Sequence, residues 1–168
     1  MSCLAGIAAL IGGSAQASVE FKHAVINNHP LKAVIEKYGG RVHIKAKCKN
    51  DFVAVFYPMQ GGQIVICSER STTATQLEEA LTHEAVHFAQ HCYGAEGGSI
   101  YITQELKKHA AKKGFSDDAE YAHKMAKLYT DNTHDYNREF EAYYFEDSPG
   151  AVSDMIKESC SDFDLKEI

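Results

Sequence analysis

The sequence contains no apolar run of the 18 or so residues that a membrane-crossing helix needs, so no integral membrane segment is expected. It has no basic stripe long enough to follow a phosphate backbone. Basic residues gather only around positions 41–49, acidic ones follow from Glu146 onward, and the formal net charge is −6. Nucleic-acid binding is therefore not expected. No internal repeat and no low-complexity tract occurs. No Cys-x-x-Cys pair occurs either, which removes a cysteine-based zinc knuckle. No Lys or Arg precedes Lys22, so the N-terminal region lacks the positive start of a secretory signal.

What is present fits one globular domain. The chain has 168 residues, 45% of them hydrophobic, enough to bury a core without staples. A short apolar stretch at 4–12 is followed by Ser14-Ala15-Gln16-Ala17, which fits the small-residue pattern of a cleavage site. Residues 1–17 are thus either a signal peptide or an apolar segment packed on the domain formed by 18–168. The first reading makes the protein exported, the second leaves it cytoplasmic. Removing Cys3 with such a peptide leaves Cys48, Cys67, Cys92 and Cys160, an even set that suits disulfides in an oxidising compartment. Cys67 ends a strand and Cys92 ends the following helix, so these two are the expected pair. Two buried thiols are the alternative.

Hydrophobic periodicity gives the elements. Leu31, Val34, Ile35 and Tyr38 make one apolar face of a helix over 30–38, entered at Pro30 and left at Gly39-Gly40. Residues 41–47 alternate, with Val42, Ile44 and Ala46 on one side and His43, Lys45 and Lys47 on the other, as in a half-buried strand. Runs at 52–57 and 63–67, joined by a turn with Pro58 and Gly61-Gly62, read as two more strands. Helices then follow at 75–92, 100–112, 117–130, 134–146 and 150–159. The fold class expected is α+β: a small antiparallel or mixed sheet, then a mainly helical C-terminal half.

The strongest helix carries His83-Glu84-Ala85-Val86-His87. A four-residue spacing puts both imidazoles on one helical face, one turn apart. Two such nitrogens can bind one tetrahedral Zn²⁺ at about 2.0–2.1 Å. Glu84 reaches a zinc-bound water without ligating the metal, as a general base must. The stripe of Leu77, Leu81, Ala85, Phe88 and Cys92 lies roughly opposite, so the helix is expected to bury one face and offer the other to a cleft. A catalytic site needs a third protein ligand. His91 stands about 12 Å of helix rise from His83, too far to share a metal on a straight helix. A carboxylate on the helix over 134–146 is the better source. Glu139 and Glu141 point about 200° apart, so one of them, not both, can face the metal. Tyr143 shares the face of Glu139 and could orient it. Phe140 reads as core. His109, His123 and His134 read as solvated, and His43 has no assigned role.

His-Glu-x-x-His on one helix with a glutamate on a later one resembles the gluzincin type of zincin metallopeptidase, over roughly residues 41–147. The resemblance implies a zincin-like fold, in which the edge strand of the sheet lies along the cleft and pairs with an extended substrate. The strand at 63–67 or its neighbour would be that edge. It also implies Glu139 as third ligand, because in many such families this ligand opens a Glu-x-x-Ala segment, and Glu139-Phe140-Glu141-Ala142 has that form. Tyr143 stands where the related Glu-x-x-x-Asp form has its aspartate. The chain is similar, more distantly, to the mitochondrial intermembrane-space metallopeptidases that process an ATP synthase subunit. Those carry a Cys about fifteen residues before the motif and a His-Cys pair after it, matched here by Cys67 and by His91-Cys92. Gln90 replaces their Asp, and their other cysteines are missing.

The function implied is a zinc-dependent metalloendopeptidase acting on a protein or peptide substrate. His83, His87 and Glu139 hold the metal, and Glu84 is the base. Tyr136, Tyr144 and His134 are candidates to steady the oxyanion. The alternative is a zincin-fold binding or assembly factor that keeps the metal and turns over little. Oligomeric state is not legible in the sequence.

Overall fold

The computed structural model describes residues 11–48, 52–59, 61–71, 73–94, 117–129 and 133–161. The expected helix at 100–112 lies outside the described residues, as does His109. Among the described residues the order is α1 (Ile11–Asn27), α2 (Pro30–Lys37), β1 (Arg41–Lys45), β2 (Ala54–Tyr57), β3 (Gln63–Cys67), α3 (Ala74–Cys92), α4 (Asp117–Tyr129), α5 (Thr133–Phe145) and α6 (Pro149–Cys160). This is an α+β arrangement, mostly helical. No described helix is long and apolar enough to cross a membrane.

The sheet is mixed, in the order β1-β3-β2. β2 and β3 form the antiparallel hairpin that the turn at 58–62 suggests, with Ala54 opposite Ile66 and Phe56 opposite Ile64. β1 runs parallel to β3, with Val42 beside Ile64 and Ile44 beside Ile66. β3 is therefore the central strand, and its run Ile64, Val65, Ile66 and Cys67 is buried throughout. A strand covered on both faces needs no polar alternation. β1 keeps the expected alternation, with Arg41, His43 and Lys45 exposed and Val42 buried.

α1 extends across residues 11–27 and was not foreseen as a helix. Ile26 near its end is fully buried in the core. Lys22 fastens the helix to the β3–α3 turn by donating from Nζ to the Ser68 and Ser71 carbonyls at 3.1 and 2.6 Å.

α3 lies across the sheet and carries the centre of the core. Thr73 caps it, its hydroxyl oxygen accepting from the Gln76 amide at 3.2 Å. Leu77, Leu81, Ala85 and Phe88 are fully buried against Ile64, Ile66, Leu31 and Ile35. Phe88 seats on two glycines. A Cβ on Gly40 would stand 2.8 Å from its ring, and one on Gly62, whose φ is +77°, would stand 2.9 Å away. Only glycine permits both that backbone and that approach. Truncating a phenylalanine so enclosed costs about 3–5 kcal/mol. The other side of α3 packs on α5 and α6.

That packing refines one expectation. Besides the apolar stripe, Glu84, Val86, His87, Ala89 and Gln90 are all buried, so the polar face of α3 is more enclosed than its polarity suggests, although His83, Glu84 and His87 still line a cavity. Charged groups accept this burial because they pair with one another across the helix crossing.

Two disulfides join Cys48 to Cys67 and Cys92 to Cys160. The expected Cys67–Cys92 bond is thus replaced. Cys67, at the end of β3, meets the loop beyond β1, its parallel neighbour. Cys92, at the end of α3, meets the end of α6.

Candidate metal centre

His83 and His87 share one face of α3, and their rings sit edge to face with centroids 5.0 Å apart. α5 delivers Glu139 between them. One carboxylate oxygen lies 3.4 Å from Nε2 of His83, and the other lies 3.3 Å from Nε2 of His87. One ligand atom from each of the three residues falls within 4.8 Å of the others. Two imidazoles with one carboxylate is a donor set that zinc accepts.

Each histidine is also held from behind. Nδ1 of His83 faces Glu146 at 3.6 Å, and the Tyr143 ring packs on the imidazole with centroids 4.4 Å apart. Nδ1 of His87 meets Oε1 of Gln90 at 2.9 Å. Gln90 in turn donates to the Glu141 carboxylate at 2.7 Å. Glu141 is fully buried and stands outside the His83–His87–Glu139 group. The 200° offset between the two glutamates is used in full: one reaches the histidines directly, the other their support.

Protonation follows from this geometry. For His83, burial favours the neutral ring but is outweighed by the carboxylates of Glu139 and Glu146, with Glu84 adding to the field, and the pKa is pushed up to about 9. For Glu139, burial alone would raise the pKa. The contacts with His83 and His87 override it and hold the carboxyl well below the usual range. Glu79, one turn before His83, is raised by burial and then by Glu146, Asp147 and Glu78. The site thus gathers carboxylates around two imidazoles, a field that favours a cation.

A cavity of about 1070 Å³ opens onto this group, lined by His83, Glu84, His87 and Glu139. Glu84 therefore faces the same space as the three donors. Val53, Ala54, Val55 and Phe56 form one wall, and Tyr121, Met125 and Tyr143 contribute to its lining from the helical side. The strand along the cavity is β2, an edge strand, whereas β3 at 63–67 is internal.

Other sequence candidates fall elsewhere. His91 packs on Phe56, with ring centroids 5.8 Å apart, and burial with Arg138 nearby lowers its pKa. Tyr136 meets His123 at 2.5 Å, and Tyr144 stacks on Phe140. Neither tyrosine lines the cavity. The side chain of His134 lies outside the described residues. His43 is exposed. His123, read as solvated, is exposed and bonded to Tyr136.

Sequence reading singled out Tyr143, expected beside Glu139 and found packed on His83, but missed Gln90 and Glu146. Gln90 follows His87 by three positions and Glu146 follows Glu139 by seven. Both intervals keep a side chain on the face of its partner, so helical spacing from His87 and Glu139 held the signal. Arg138, Tyr121 and Met125 had no such signal.

Residues 31–161 match the family described as a domain of unknown function, DUF8637. The chain belongs to that family. No curated protein matches it, and no solved structure does.

Proposed function

We propose that this member of the DUF8637 family is a zinc-dependent metallopeptidase of zincin-like, gluzincin type, with His83, His87 and Glu139 as metal ligands and Glu84 as general base. One observation carries the reading. Glu139 reaches both Nε2 atoms at 3.3–3.4 Å, while Glu84 lines the same cavity and is absent from the ligand group. Three donors and one neighbouring carboxylate left for proton work is the division of labour that hydrolysis requires.

Bound zinc supplies Lewis acidity toward the scissile carbonyl and makes water easier to deprotonate. The chain supplies the rest. Glu84 accepts the proton of the attacking water and passes it to the leaving amine. Glu146 and Tyr143 hold the His83 ring, and Gln90 holds that of His87, so neither must reorganise during turnover. β2 offers an edge along the cavity for an extended polypeptide. The apolar wall from Val53 to Phe56 would take its side chains. Disulfides at Cys48–Cys67 and Cys92–Cys160 favour an oxidising compartment.

The test is direct. Purified protein is assayed for metal by mass spectrometry and for cleavage of unfolded casein and a mixed peptide library, with and without a chelator. About one zinc per chain and chelator-sensitive cleavage are expected. Protein that takes up no zinc at micromolar concentration overturns the proposal.

A further inference from the structure

Gln90 is fully buried where α3 meets α5, and its surroundings fix which way its amide points. Nε2 lies 3.2 Å from the Arg138 carbonyl oxygen and 2.7 Å from Oε2 of Glu141. A carbonyl oxygen can only accept, and an ionised carboxylate does the same. Oε1 receives Nε–H of Arg138 at 3.3 Å, and that group can only donate. Turning the amide over would set donor against donor and acceptor against acceptor. Nδ1 of His87, 2.9 Å from the same Oε1, must therefore carry a ring proton. A neutral ring protonated at Nδ1 keeps its lone pair on Nε2, the atom that faces Glu139.

We infer that Gln90 and Glu141 are positioning residues for His87: the chain Glu141–Gln90–His87 fixes the imidazole in the one tautomer whose Nε2 can ligate a metal. The same bonds tie the helix bearing the two histidines to the helix bearing Glu139. This inference rests on the metal-site reading and deepens it. An amide suits the place because it accepts from the ring and donates to the buried carboxylate at once. A carboxylate at position 90 would accept from the ring but stand against Glu141. A leucine or methionine would do neither.

The experiment compares wild type with Gln90→Met, Gln90→Glu and the swap Gln90→Glu/Glu141→Gln. Zinc dissociation constants are measured by chelator competition. The His87 Nδ1–H proton is followed by nitrogen–proton correlation NMR in both zinc-loaded and metal-free protein. Gln90→Met keeps the length and bulk of the side chain, so a space-filling role predicts no change. The positioning role predicts a loss of about 10–100-fold in zinc affinity, as for other partners behind a metal ligand, and faster solvent exchange of the ring proton. Gln90→Glu should bind zinc more weakly than wild type. The swap should recover at least about tenfold of that loss by restoring a donor opposite the carboxylate, although the contact to the Arg138 carbonyl is gone. Unchanged affinity and an unchanged ring proton in Gln90→Met overturn the inference. Should that variant not fold, a swap no better than Gln90→Glu does so. Wild type that takes up no zinc overturns the metal reading alone. The ring proton of the metal-free protein then decides: exchange accelerated in Gln90→Met supports the positioning role, and exchange unchanged refutes it.

Discussion

Oε1 of Glu139 lies 3.3 Å from Nε2 of His87 while its other oxygen reaches His83 at 3.4 Å, so a single carboxylate on α5 closes the ring that two imidazoles on α3 leave open. The predictions below follow from this arrangement.

His83→Ala and His87→Ala should abolish stoichiometric zinc. Glu139→Gln should weaken zinc by more than the roughly 10–100-fold that loss of a partner behind a ligand costs. Glu141→Gln retains an oxygen that can accept from Gln90, so its affinity should stay within several-fold of wild type. Metal analysis after dialysis ranks them, and a stronger effect at Glu141 than at Glu139 would reverse the assignment.

Glu84→Gln should keep zinc and fold and lose about 10²–10⁴ in hydrolysis rate, a barrier increase of roughly 3–5 kcal/mol at about 1.36 kcal/mol per tenfold. The amide matches the carboxylate in size but cannot take the proton of water. Full activity in this variant with zinc in place removes Glu84 from the mechanism. A binding or assembly factor predicts instead that the variant keeps its biological role.

Zinc and a proton compete for His83, whose pKa in the metal-free protein is about 9. Below that pH, uptake of zinc must displace the proton. Affinity should therefore rise with pH and level off near pH 9, and the heat of binding should vary with the ionisation enthalpy of the buffer. The metal-free fold has its own window. The raised pKa of His83 contributes stability that is complete below its unfolded value of 6.5 and is lost as pH rises through about 9. The depressed pKa of Glu139 contributes stability that is complete above 4.5 and is lost as acid protonates the folded carboxylate. Melting of the metal-free protein should thus be highest between these limits. A zinc affinity independent of pH from 6 to 8 contradicts the His83 protonation state.

Peptide mapping under non-reducing conditions should recover Cys48 with Cys67 and Cys92 with Cys160. Paired Cys92→Ser/Cys160→Ser substitution frees a loop spanning 68 positions. The loop-closure model places the resulting loss at about 4 kcal/mol, readable as a lower urea midpoint. A Cys67–Cys92 peptide would contradict the structure.

The two histidines were legible because a helix turns every 3.6 residues: spacing by four aligns His83 with His87 whatever surrounds them. The same periodicity defined α2, α3 and β1 to within a few residues, since each has an apolar face. It also said that Glu139 and Glu141 cannot both face one ion. Which of them does so was set by where α5 crosses α3. Helical spacing is blind to such a crossing, and only the likeness of Glu139-Phe140-Glu141-Ala142 to the Glu-x-x-Ala segment of gluzincin families favoured one.

Long-range pairing was the least legible part. The hairpin of β2 and β3 follows from a local turn, but the parallel alignment of β1 with β3 is a contact between strands that are not consecutive, and no local signal encodes it. Four cysteines allow three connectivities, and adjacency to the strand and the helix suggested the wrong one. Burial of His87 and Gln90 where α3 meets α5 was likewise unreadable, because polar residues look solvent-facing until polar partners are brought against them.

The sequence by itself determined the chemistry offered: two imidazoles and a carboxylate on one helix, fixed by backbone geometry that is local. Tertiary structure decided what those groups become. It set Glu139 between the rings, Glu146 and Gln90 behind them and Glu84 in the same cavity, because such contacts depend on helix crossings, and those are fixed by packing the whole core rather than by any segment of the chain.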